Sequence, residues 1–214
     1  AMEQLQAKLA EHGAVFFADL QTAGKGQMGK KWESESHQNL LLSVILNVSS
    51  LHIGHQFALS AAIALSCWDF LSLYIPSELT IKWPNDIYYY DKKLGGILIE
   101  NTTKGYQIKD SIIGIGLNVN QKYFGELEQK ATSISKILQQ DYELDKLLVQ
   151  ICQNIESRYL QLKSDKIATL ENDYLKNLYR LDESHLFEIK NQILKVGFEN
   201  DSEEINFFKN IKCY

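Results

Sequence analysis

Gly24-Lys25-Gly26-Gln27-Met28-Gly29-Lys30-Lys31 sets three glycines at G-x-G-x-x-G spacing among three lysines. That combination suits an anion. Glycine reaches φ > 0 and lets backbone N–H groups approach a phosphate or carboxylate, and the lysines add positive charge. The stretch also satisfies G-x-x-x-x-G-K, but Lys31 stands where a P-loop needs a hydroxyl for magnesium. A dinucleotide site would continue into a helix and place an acid about 20 residues on. Here residues 30–39 are polar and aperiodic, and Asn47-Val48-Ser49-Ser50-Leu51 holds no acid. The loop is thus predicted to be cationic and to join two strands, and taken alone it reads equally as a solvated turn.

Three further segments carry chemistry. In Lys82-Trp83-Pro84-Asn85-Asp86, proline fixes the exit from a strand, so that Asn85 and Asp86 present an amide and a carboxylate at a rigid turn. Self-satisfied turn side chains would give the same pattern. Lys93-Leu94-Gly95-Gly96-Ile97-Leu98-Ile99-Glu100 places two glycines inside a strand, which marks a bulge or a ligand lying on backbone, with a lysine at the entrance. Ile113-Gly114-Ile115-Gly116-Leu117-Asn118 alternates glycine, baring one sheet face for a ligand or for a packed helix. His52 and His55 lack the remaining ligands of a zinc site and read as solvated, so no metal ligand is assigned.

These segments need elements to hold them. A short helix through Glu11 leads to a buried strand over Ala14–Asp19, and a second strand covers Leu40–Leu46. Phe57, Ala61, Leu65 and Trp68 recur at helical spacing within a helix over Ile53–Leu73, with Trp68 in the core. Strands are predicted over 79–83, 87–90, 94–100 and 111–117, with a hairpin at Asp91-Lys92. Helices follow through Leu147, Ile151, Ile155 and Tyr159 and again over Leu170–Leu178. Short strands over 186–189, 193–198 and 205–208 suggest a small β domain.

The chain has 214 residues, 22 basic and 27 acidic, with a net charge of −5. Such a balance argues against a phosphate-backbone binder. Cys67, Cys152 and Cys213 are too few and too scattered for a disulfide framework. Apolar runs fall well short of the ~20 residues of a membrane span. A cytoplasmic protein without membrane attachment is expected.

In order and spacing, residues 21–32, Lys82 to Asp86, Lys93 to Glu100 and Gly114 to Asn118 resemble the catalytic domain of biotin protein ligases, over roughly residues 14 to 135. The resemblance implies an α+β fold: a mixed, mainly antiparallel sheet flanked by helices, like class II synthetases, with a small SH3-like C-terminal domain. It implies a catalytic domain over 1–180 and a shortened β domain over 181–214. It also implies the reaction. Biotin and ATP give biotinyl-5′-adenylate and pyrophosphate, and biotin then passes to a lysine of a biotin carboxyl carrier domain, such as that of acetyl-CoA carboxylase. Mg2+ is expected with the ATP.

By the same resemblance Lys93 is catalytic, against the biotin carboxylate and α-phosphate. Gln21, Gly24, Lys25, Gly26, Gln27, Gly95, Gly96 and Ile97 would hold biotin. Gln27, Trp32, Asn85, Asp86, Lys93 and Asn118 would meet the nucleotide. Many members carry arginine at the position of Gln27, so this loop is expected to clamp the adenylate less firmly. The family's Ser-Thr-Asn biotin segment does not occur in this sequence. No helix-turn-helix precedes the core, so no DNA-binding role is expected, and a homodimer paired through sheet edges is. A lipoate-type ligase and a non-catalytic biotin-binding module are the competing readings.

Overall fold

The computed structural model describes residues 1–164, 166–189 and 192–197. Six strands form one sheet in the order β1-β2-β6-β5-β4-β3: β1 (Val15–Phe17), β2 (Asn39–Asn47), β3 (Leu79–Lys82), β4 (Asp86–Tyr89), β5 (Lys92–Lys104) and β6 (Gln107–Asn118). Every neighbouring pair is antiparallel. The mixed character reduces to two isolated parallel bridges, Ile81 with Leu178 and Lys93 with Ala131.

Side chains alternate across the pleat, so the register assigns each residue to a face. Leu40, Leu42, Val44 and Leu46 of β2 join Ile113, Ile115 and Leu117 of β6 and Ile97 of β5 in the core. Against this face lies α2 (Gln56–Ser72), preceded by a 3-10 turn at Ile53–His55, so the predicted helix begins one turn late. It is buried on nearly every side by residues such as Ala58, Ala61, Ala62, Ile63 and Leu65, as a central helix must be. Two later helices cover it, α4 (Leu144–Lys163) and α5 (Ile167–Lys176), while the short α1 (Met2–Gln6) and α3 (Ile134–Leu138) lie outside that layer. Arg158 of α4 ties the layer together. Its guanidinium donates to Asp69 of α2 at 2.6 and 3.0 Å and to Asp173 of α5 at 2.9 Å. Asp69 first of all holds the Arg158 pKa above its ordinary value.

Several sequence expectations need correction. β1 is shorter than predicted and is not buried: Val15 is 41% exposed, because an edge strand has a neighbour on one side only. β5 and β6 run longer than their apolar cores, since Thr102, Thr103 and Lys104 continue the ladder into solvent where only backbone pairing is needed. The 3-10 turn near the glycines, Gln27–Gly29, lies inside the loop and no helix follows it. Past α5, β7 (Ser184–Ile189) and β8 (Gln192–Gly197) pair as a separate hairpin. The expected strand over 205–208 lies outside the described residues. Among the described residues no helix is long and apolar enough to cross a membrane.

Candidate active site

The sheet face turned away from α2 carries Gly96, Gly114 and Gly116. Cross-strand register arranges it in rows: Asp86, Gly96, Gly116 and Leu41 in the first, then Leu98, Gly114 and Ser43, then Glu100, Ile112 and Ile45. Over these rows lies a cleft of about 530 Å³, walled by residues 20–27, Trp32 and the first residues of α1.

At the first row Lys93 Nζ meets Asp86 Oδ1 at 2.7 Å. Its stem crosses Gly96, where a Cβ would stand 3.2 Å from Lys93 Cε and Nζ, so glycine keeps the lysine low on the floor. Lys93 is also fixed from behind. Its N–H donates to the Lys130 carbonyl at 2.8 Å, and its own carbonyl accepts from Thr132 N–H at 2.9 Å. Behind Asp86, Tyr174 of α5 is fully buried with no partner for its hydroxyl among the described residues. Burial, and secondarily the Asp86 charge, push its phenol up.

The glycine loop folds back on itself. Gly26 N–H donates to Lys30 O at 2.7 Å and Trp32 N–H to Gly24 O at 3.0 Å, with Lys25 bridged to Lys31. A Cβ on Gly24 would stand 2.5 Å from the Trp32 carbonyl, so this return requires glycine. The base of the loop is closed where His37 N–H reaches Asp19 O at 2.9 Å and its imidazole meets the Asp19 carboxylate at 3.2 Å. Gln121 accepts from Asn39 at 2.5 Å and from Glu35 N–H at 3.2 Å, pinning the exit. Trp32 lies on the floor: a Cβ on Gly116 would stand 2.6 Å from its ring, and Lys93 Nζ is 5.7 Å from the ring centroid. Lys30 and Lys31 line the cleft's outer mouth.

Of the residues named from sequence, Gln21, Gly24, Lys25, Gly26, Gln27, Trp32, Asn85, Asp86, Lys93 and Gly96 border the cleft, as does Ile97, which also packs in the core. Asn85 does so with its amide committed. The side-chain amide donates to Ile97 O at 2.6 Å and the Asn85 backbone carbonyl accepts from Ile97 N–H at 2.9 Å, which locks the β3–β4 turn onto β5.

Two named residues are not brought to the cleft. Gly95 faces the core, where its missing Cβ leaves room for Leu117, because the residue beside Gly96 must point to the other face. Asn118 is buried and donates to the Thr132 carbonyl at 3.0 Å, bracing the segment that holds Lys93. Sequence reasoning missed Ser43, Leu98, Glu100 and Ile112. Only the register of β2 and β5 against Gly114 and Gly116 reveals them. His52 and His55 are exposed, as expected, and Trp68 packs against the core, donating to Leu79 O at 3.0 Å.

Fold and cleft together define an α+β protein that can lay an anionic ligand on a sheet face beneath a cationic glycine loop. A model of the biotin/lipoate A/B protein ligase family matches residues 1–118, more than half of the sequence, and the chain belongs to that family. It is 35% identical over 154 residues to the bifunctional ligase/repressor BirA of Bacillus spizizenii, covering 70% of this chain and 47% of that protein. With the biotin–[acetyl-CoA-carboxylase] ligase of Mycobacterium tuberculosis it shares 30% identity over 155 residues, 71% of this chain and 56% of the relative. The chain thus spans about half the length of these curated relatives. Among solved structures, biotin protein ligase from Aquifex aeolicus in complex with biotin and ATP superposes with a TM-score of 0.76 at 25% identity, covering 91% of this chain and 81% of that one.

Proposed function

We propose that this chain activates biotin with ATP to biotinyl-5′-adenylate and transfers biotin to a lysine of a biotin carboxyl carrier domain. The observation that carries the reading is Lys93, held on the bare floor between Asp86 and the glycine loop. In the first step a biotin carboxylate oxygen attacks the α-phosphorus and pyrophosphate leaves. Two anions must approach each other, and a fixed ammonium between them stabilises the charge that builds as the new bond forms. In the second step a neutral lysine amine attacks the acyl carbon, forming the amide while the C–O bond to AMP breaks. Neither step requires a covalent enzyme intermediate, so orientation by the floor and loop supplies much of the remaining acceleration.

ATP is expected as its Mg2+ complex, held through its phosphates. Trp32 and Asp86 would face the nucleotide; Gln21, Gly24, Lys25, Gly26, Gln27 and Gly96 would enclose biotin. Asn85 and Asn118 would act by fixing β5 and the strap behind Lys93. We assign catalysis to residues 1–180 and a small β domain to 181–214, and we place the protein in the cytoplasm as a homodimer, for which sedimentation is the test.

Incubation with ATP, labelled biotin and a carrier domain tests the activity. Label on the carrier lysine is the expected result. Transfer of lipoate in its place would make the chain a lipoate-type ligase, and biotin binding without transfer would make it a binding module.

A further inference from the structure

We infer that Ser43 is a specificity-determining residue, whose hydroxyl recognises a polar group on the ring of the acid that Lys93 activates. The inference rests on the proposed acid-activating function and deepens it. Ser43 is the residue of β2 directly across from Gly114, and Gly114 is directly across from Leu98. All three border the cleft. Along β2 the flanking residues on the same face, Leu41 and Ile45, are fully buried and apolar, so Ser43 puts one hydroxyl into an otherwise hydrocarbon stripe. It is half-buried, and the hydroxyl has no hydrogen-bond partner among the described residues. A polar group retained in such a stripe without a protein partner is placed to bind something else.

Position says what that is. The Ser43 row lies one sheet step, about 7 Å, from the row of Asp86, Gly96 and Gly116 over which Lys93 stands. A carboxylate at Lys93, on a short alkyl tail lying along the floor, brings the head of its acid to this second row. Gly114 leaves room for a ring there. A Cβ on it would meet only the Leu98 carbonyl oxygen and Cβ, at 3.5 and 3.8 Å, ordinary contact distances. Leu98 and Ile112 supply the apolar flank. A bicyclic ureide carries hydrogen-bonding groups to this point. A dithiolane or a plain alkyl chain of the same reach does not. A ligand that covers this hydroxyl and pairs with it is favoured over one that covers it and leaves it unpaired.

Carboxylate-dependent pyrophosphate release, measured with biotin and with lipoate on the wild type and Ser43→Ala, tests the role. The variant loses no protein hydrogen bond, so its unfolding midpoint should match the wild type. The expected result is a drop of about tenfold in kcat/KM for biotin, carried by KM, with lipoate turnover unchanged or improved. Unaltered biotin kinetics, or equal losses for both acids, would overturn the Ser43 assignment and leave the ligase reading standing. A wild type that releases pyrophosphate with neither acid, or prefers lipoate, would overturn both.

Discussion

The floor of the cleft and its lid hold comparable numbers of the residues that matter and are built in opposite ways. The floor is β2, β6, β5 and β4 in antiparallel pairing, one face packed on α2, so its positions are fixed by neighbouring strands and a core. The lid, residues 20–37, rests on an internal bridge, the Asp19–His37 closure and the Gln121 anchor, with exposed lysines between them. Under the proposed function, the chemistry that needs placement within a fraction of an ångström sits on the floor, with Lys93 and Asp86. Enclosure and charge sit on the part that can give. Scaffold rigidity and loop adaptability are thereby separated along one cleft.

Breaking the floor should have the larger consequences. Lys93→Met should lower biotin-dependent pyrophosphate release by about 10³-fold or more, with near-native circular dichroism; turnover close to wild type would remove Lys93 from its role. Gly95→Ala places a methyl against Leu117 and 2.9 Å from the Gly116 carbonyl oxygen, so overpacking should cost about 1–3 kcal/mol in urea unfolding. An unchanged midpoint would mean that the β5–β6 floor yields as readily as the lid.

Changes to the lid should act on residence and leave stability alone. Gln27→Arg adds a charge able to fork onto a phosphate, and release of biotinyl-adenylate should slow severalfold. Release at the wild-type rate or faster would refute weak clamping by Gln27. The smallest effect concerns the strap behind Lys93. Glu128 is held below its ordinary value of 4.5 by the Lys136 ammonium first and the Phe124 N–H second. Its stabilising contribution is therefore complete above 4.5 and fades as pH falls through the lowered folded value. The melting-temperature deficit of Glu128→Gln should be visible near neutrality and vanish in acid. A deficit that persists in acid would show that the carboxylate's charge is not what matters.

How much was legible follows the same division. Gly24, Gly26, Gly96 and Gly116 could be singled out because missing side chains inside patterned segments advertise close approach. Lys93 and Asp86 were each named, but their ion pair depends on the β4–β5 bulge, which shifts register between Ile87 and Tyr88 and has no local signature. Gly95 was misplaced because motif order does not say which face a residue takes, and Asn118, one row beyond Gly116 on the glycine face, because its amide is committed to the Thr132 carbonyl. Ser43 stayed invisible because an isolated polar residue in an apolar strand acquires meaning only from its neighbours across the sheet. β1 was taken as buried because three apolar residues look alike at an edge and in the middle.

Trp32 gives the cleft a kinetic character. Its indole lies on Gly116, and its Nε1 is buried without a partner among the described residues. Any ring that reaches this glycine must displace the indole or stack on its outer surface. Displacement would make binding rates level off at high ligand concentration, at the frequency with which the indole lifts away. Stacking would leave them rising in proportion to concentration. As one of three tryptophans in the chain, Trp32 would report the difference through its own fluorescence in a stopped-flow trace.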